Sequence, residues 1–347
     1  MLRFGRRIQQ IGSSFLVSLP IGWVKRNNLR KGNMVLVEIN NDNTLSLFSS
    51  DLIAEEPKEV SIAYSPNSVD SIVNQIYGTY LLGYNIIRIK GHEQITYEHR
   101  DRIKFAMRKL AGLEIIEEDS TNIICQFLLD AGTLEIEKIL RRMNTIIAGM
   151  YKDTIDLLGK SSEYNIRKSI VSRDAEVDRQ YFLLVRLIRS AMLDQQLATK
   201  LNLSNIDILD YRIAANHLEN AGDYIKDFAK TLPHLESKEL LNEIIQASLL
   251  TVRMQEKSVA AFINNNRIES FDIVKLYNKF NQLMDSIKEL STHRNGLEES
   301  MSSISLLNSV YSMDKIARCW VDVADLVKPA YSEYTKRPAT PVDSTVM

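Results

Sequence analysis

Apolar positions change rhythm along this chain and divide it into three kinds of segment. In the first fifty residues they come in short alternating runs, 7–11, 15–19, 34–39 and 44–48, which predict strands. A short helix over 21–27 begins at Pro20, whose missing N–H suits a first helical position. Gly32 and the run Asn40, Asn41, Asp42, Asn43 supply turns. Residues 60–64 alternate as a strand, and Val69, Ile72, Val73, Ile76, Tyr77 and Tyr80 mark an amphipathic helix. A strand over 84–90 closed by Gly91, a helix over 97–110 ending at Gly112, and strands over 113–118 and 122–129 complete the order βαβαββ. Beyond residue 132 the spacing becomes three-four, as in Ile136, Ile139, Leu140, Met143, Ile146, Ile147 and Met150.

That rhythm predicts a first helix closed by Gly159, Ser161 and Ser162, then helices over 164–195, 206–230, 237–263, 267–292 and 297–327. Six helices in two sets of three imply an internal duplication. The expected division is 1–50, a polar, acidic linker at 51–59 containing Pro57, an α/β module at 60–131, three-helix bundles at 133–233 and 237–328, and a Pro- and Ser/Thr-rich tail at 329–347 expected to be disordered.

At 347 residues, 45% hydrophobic and 25% charged, the chain can bury several cores. No apolar run approaches the ~20 residues that span a bilayer, and Arg3, Arg6 and Arg7 break up the start where a signal peptide would be apolar. A cytoplasmic protein without membrane insertion is expected. Cys125 and Cys319 form no metal-type or redox-type spacing and are expected to be buried thiols. The net charge of −1 is unevenly spread: residues 1–50 carry seven basic residues against Glu38 and Asp42, a local +5 that favours polyanions. Fifty residues of short strands make a poor core for one copy, so a second copy is the natural remedy.

Two pairs of acids stand out. Glu219 and Asp223 lie one turn apart, with Asp227 a turn further; Asp174 and Asp178 have the same spacing on the preceding helix. Gly222 lies between Glu219 and Asp223, and Ala214, Ala215, Ala221 and Ala229 line the same helix, so a close approach of a neighbour is expected there. Carboxylates with no Cys or His beside them suit hard cations, Mg, Mn, Ca or Fe. Asp174, Asp178, Glu219 and Asp223 are the metal candidates, and a solvated acidic face is the plain alternative. His217 is expected on another face, packing or hydrogen-bonding; His92 and His99 are expected at the surface near turns.

The run Leu218, Glu219, Asn220, Ala221, Gly222, Asp223 resembles the Leu-Glu-Arg-Ile-Gly-Asp signature of the PhoU family of phosphate-uptake regulators, with the acids and glycine kept and the Arg-Ile replaced. The resemblance covers roughly residues 133–328 and implies an all-α body of two three-helix bundles whose acid clusters bind metal rather than catalyse. In the second half Asp314 and Arg318 stand where Glu219 and Asp223 do, and Asn281 and Asp285 where Asp174 and Asp178 do, so the second site is degraded and Asp314 and Arg318 are expected to pair.

Residues Arg7 to Pro20, followed by Trp23, Val24 and then Leu29, Arg30, Lys31, Gly32, Asn33, Met34 and Val35, resemble the AbrB/MazE/SpoVT swapped-hairpin domain. This implies an interlaced homodimer that binds DNA through basic residues at its N-terminal edge. Arg3, Arg6 and Arg7, with Lys25 and Arg26 as a second row, are the candidates, since phosphate contacts supply affinity without sequence readout.

The sequence therefore reads as a homodimeric, multidomain regulator of phosphate uptake, with a swapped-hairpin DNA-binding head, an α/β module and a metal-binding helical body. A phosphate ABC transporter or a phosphate-signalling protein is the expected protein partner. The alternative is a transporter adaptor whose head only dimerises the chain. For a metal-dependent hydrolase, facing carboxylates are present but no general base or nucleophile accompanies them, and no enzyme is expected. The α/β module carries no glycine-rich phosphate loop or nucleophile elbow and reads as a spacer rather than a sensor of a small ligand.

Overall fold

The computed structural model describes residues 4–39, 44–49, 57–158, 164–232, 237–292 and 297–327. The turn expected at 40–43, most of the linker, the loop at 159–163, the turn at Asn295 and Gly296, and the tail expected at 329–347 lie outside the described residues. The chain divides into two compact units, residues 1–58 and 59–347.

The first unit contains two antiparallel hairpins. Strand β1 (Gln9–Ile11) pairs with β2 (Ser14–Leu16) around Gly12, which takes a positive φ; β3 (Val35–Ile39) pairs with β4 (Leu45–Ser49). Helix α1 (Ile21–Arg26) lies between them. Pro20 caps α1 rather than occupying its first turn, because its extended ψ of 127° lies outside the helical region. No residue among those described in this unit is buried, and large apolar side chains such as Phe15 and Ile39 are 72% and 79% exposed.

The second unit opens with the α/β module, in the expected order: β5 (Glu59–Ala63), α2 (Val69–Leu81), β6 (Ile86–Lys90), α3 (Tyr97–Arg108), β7 (Leu113–Glu118) and β8 (Asn122–Phe127). The sheet runs β5-β6-β8-β7, with β5 and β6 parallel and the other pairs antiparallel. The register sets Ile62 opposite Ile89, and Ile87 opposite Cys125, so their buried side chains supply a core for α2 and α3 to cover. His99 is not a plain surface residue: its Nδ1 lies 2.9 Å from the Tyr64 hydroxyl.

Helices α4 (Ile136–Asp156), α5 (Tyr164–Leu193) and α7 (Asn205–Thr231) form the first three-helix set; α8 (Lys238–Ile263), α9 (Arg267–Thr292) and α10 (Leu297–Asp325) form the second. A six-residue helix unforeseen in the sequence, α6 (Gln195–Lys200), joins α5 to α7, its start capped by Asp194. The two sets pack on each other through α7 against α10 and α4 against α8. Among the described residues no helix is long and apolar enough to cross a membrane.

The α/β module is anchored on the first bundle. Three points on and just after α2 meet three points on α5: Tyr77 meets Phe182 with ring centroids 5.4 Å apart, Tyr80 meets Arg186, and Gly83 meets Ser190. Both sets ascend in sequence, so the two helices run parallel at this contact. Gly83 has φ +83° and lies so close to Ser190 that a Cβ would come within 2.8 Å of its Oγ.

Candidate functional site

Helix α7 positions one half of the acidic site. Its start is fixed by a capping box, in which the Ser204 hydroxyl accepts from the Asp207 N–H at 3.3 Å and Asp207 Oδ2 accepts from the Ser204 N–H at 2.9 Å. From that start, Ala214, Leu218, Ala221 and Ile225 are buried, which leaves Glu219 and Asp223 half-buried at the edge of the packed face. Helix α5 supplies the other half, with Asp174 only 6% exposed.

The four predicted acids lie within one electrostatic field. Burial first, then Asp223, Asp178 and Asp174, pushes the Glu219 carboxyl up to about 7. Burial, followed by Asp174 and Asp223, also raises Asp178. Asp227 is exposed and pairs with Lys230 at 3.6 Å instead.

A lysine that the sequence reading passed over sits between the helices. Lys226 Nζ donates to Asp174 Oδ2 at 2.5 Å and also bonds Asp223 Oδ1, tying α5 to α7. Burial works against its charge, but the hydrogen bonds to Asp174 and Asp223 outweigh that and hold the ammonium above its ordinary range. The signal was present as Asp223 and Lys226 three residues apart, an ordinary helical ion-pair spacing. Its reach across to Asp174 could not be read from one helix.

Oxygen-only donors suit a hard cation. As arranged, however, the Lys226 ammonium bridges Asp174 and Asp223, and among the described residues no group of three or more His, Cys, Asp or Glu side chains is placed to hold a metal ion. The set does not fit a Mg, Mn, Ca or Fe ion while the lysine is in place.

Gly222 does face α5, but more loosely than expected. A Cβ there would lie 3.5 Å from Asp174 Oδ1 and from Val177 Cγ1, which is ordinary van der Waals contact. The glycine is not required for space. The α/β module borders the acids: burial and then the Asp178 charge raise the Tyr77 hydroxyl, while Lys109 acts on Asp178 in the opposite sense.

In the second bundle Arg318 Nε donates to Asp314 Oδ2 at 2.8 Å, the pair expected from the sequence, and Asp285 bonds Lys288 at 3.2 Å. His217 Nδ1 lies 3.6 Å from Asp322 Oδ2, so it faces α10 rather than the acids.

Of the basic candidates in the first unit, Arg3 lies outside the described residues. Arg6 reaches over the Phe4 ring, 5.8 Å from its centroid, and donates to the Gly5 carbonyl at 3.4 Å. Arg6, Arg7, Lys25 and Arg26 are exposed, and none makes an ion pair with a described residue. Lys25 and Arg26 occupy the last turn of α1, where positive charge also complements the helix dipole.

The family model described as the PhoU domain matches residues 140–232, the stretch that carries both acid pairs and Lys226. Among solved structures the chain is similar to PhoU from Pseudomonas aeruginosa, with 14% identity and a TM-score of 0.49 over 55% of this chain and 93% of that one. It is also similar to the phosphate transport system regulatory protein PhoU from Streptococcus pneumoniae, with 12% identity and a TM-score of 0.46 over 55% of this chain and 91% of that one. No curated protein matches the chain.

Proposed function

We propose that this chain is a non-enzymatic regulator of phosphate uptake whose helical body is of the PhoU type and whose first unit binds DNA. The observation that carries the reading is the PhoU-domain match over residues 140–232, which covers α5 and α7 and so the whole acid cluster. The helical body would engage a phosphate transporter or a phosphate-signalling protein, and the head would bring that state to the chromosome.

The DNA-binding half rests on charge. Residues 1–50 carry +5, and Arg6, Arg7, Lys25 and Arg26 are exposed without ion-pair partners among the described residues, as phosphate-contacting side chains would be. Dimerisation rests on packing. A unit with no buried residue among those described, and with a 420 Å³ groove lined by Phe4, Leu19, Pro20, Trp23, Leu45 and Leu47, needs a second copy to cover it; Arg26 also lines this groove, so a second copy there would engage Arg26 and leave Arg6, Arg7 and Lys25 for DNA.

That same lack of a core favours the second reading, a transporter adaptor whose head serves only to pair two chains. A genomic DNA pull-down from phosphate-rich and phosphate-starved cells separates the two. Recovery of discrete sites that changes with phosphate supports the regulator. A dimeric protein that recovers no DNA above background in either state supports the adaptor.

A further inference from the structure

We infer that Lys226 is the tethered cation of the acid cluster: it takes the place a divalent metal would take, joins α5 to α7 without one, and excludes one. The geometry is specific. The ammonium reaches Asp223 on its own helix and Asp174, 6% exposed, on the neighbouring helix at 2.5 Å. A buried carboxylate left unpaired is costly and either keeps a proton or takes a cation; burial raises the Asp174 carboxyl, and the Lys226 hydrogen bond opposes that by supplying the cation. Lys226 is the cation bonded there, and a hard metal ion would need the same oxygens.

In the second bundle, where the sequence sets Asp314 and Arg318 against Glu219 and Asp223, Arg318 bonds Asp314 at 2.8 Å as an ordinary helical ion pair. The inference concerns the helical body and does not depend on whether the head binds DNA.

The test uses the full-length protein, stripped with EDTA, and manganese(II) as the probe, comparing wild type, Lys226→Gln and Lys226→Arg by thermal melting and by calorimetric titration. Wild type is expected to hold no stoichiometric metal and to melt at the same temperature with and without manganese. Lys226→Gln is expected to melt several degrees lower in EDTA, to recover in manganese, and to bind manganese at least about tenfold more tightly than wild type. Lys226→Arg keeps a cation and is expected to behave as wild type. Stoichiometric metal in wild type, or a melting point that manganese raises, overturns the inference even if the glutamine variant fails to fold. A Lys226→Gln protein as stable in EDTA as wild type overturns it too, as does one that is destabilised and not restored by manganese.

Discussion

The Arg186 guanidinium lies over the ring of Phe127, 3.9 Å from its centroid, and so joins helix α5 of the first bundle to the last strand of the α/β module. Arg186 also donates to the Tyr80 carbonyl at 2.6 Å and is 3% exposed, with burial lowering its pKa to about 10. Cation–π contact and a carbonyl offset the desolvation of this charge. The module is therefore docked on the helical body, beside Asp178.

Arg186→Ala is expected to destabilise the protein by about 2–4 kcal/mol, the scale of a buried large-to-small change. Arg186→Met, which fills the space without a charge to desolvate, is expected to cost less. Thermal melts of the two variants check the order; an alanine variant that melts like wild type would mean the junction is held elsewhere.

Glu219 gives a pH signature. Its folded-state pKa is raised from 4.5 to about 7 by burial and by Asp223, Asp178 and Asp174. Between those values the folded carboxyl keeps a proton that the unfolded one has released. Its contribution to stability is therefore greatest below about pH 4.5 and is lost as the pH rises toward 7. Glu219→Gln removes this loss, so the variant's advantage in melting temperature over wild type is expected to be larger at pH 8 than at pH 5. An equal difference at both pH values would contradict the assignment.

Gly222→Ala is expected to raise stability, by up to about 1 kcal/mol, because a buried helix-interior glycine gives up helix propensity at a position where a methyl group fits. A variant less stable than wild type would show that α5 approaches more closely than the 3.5 Å contacts allow.

Most of the architecture was legible in the sequence because it is written in local periodicity. The βαβαββ order, the six long helices and both buried cysteines follow from spacing and turn residues, and the structure keeps them within a few residues. Helix α6 was not legible, since six residues are too few for a three-four rhythm. The four acids do share one field, but the groups that complete their surroundings were hidden for a common reason. Arg186 sits inside an apolar run and finds its carbonyl partner, Tyr80, about a hundred residues earlier in the chain, and Lys226 reaches a carboxylate fifty-two residues before it. Periodicity identifies which face is buried; it does not say what lies opposite.

The salt dependence of duplex binding by the full-length protein tests the proposed DNA-binding role of the first unit. Counterion release predicts a linear fall of log affinity with log salt, and replacing both Arg6 and Arg7 by alanine is expected to reduce the slope by roughly 2, about one per lost phosphate contact. Binding that is absent at low salt, or whose slope is unchanged in the double variant, would contradict it.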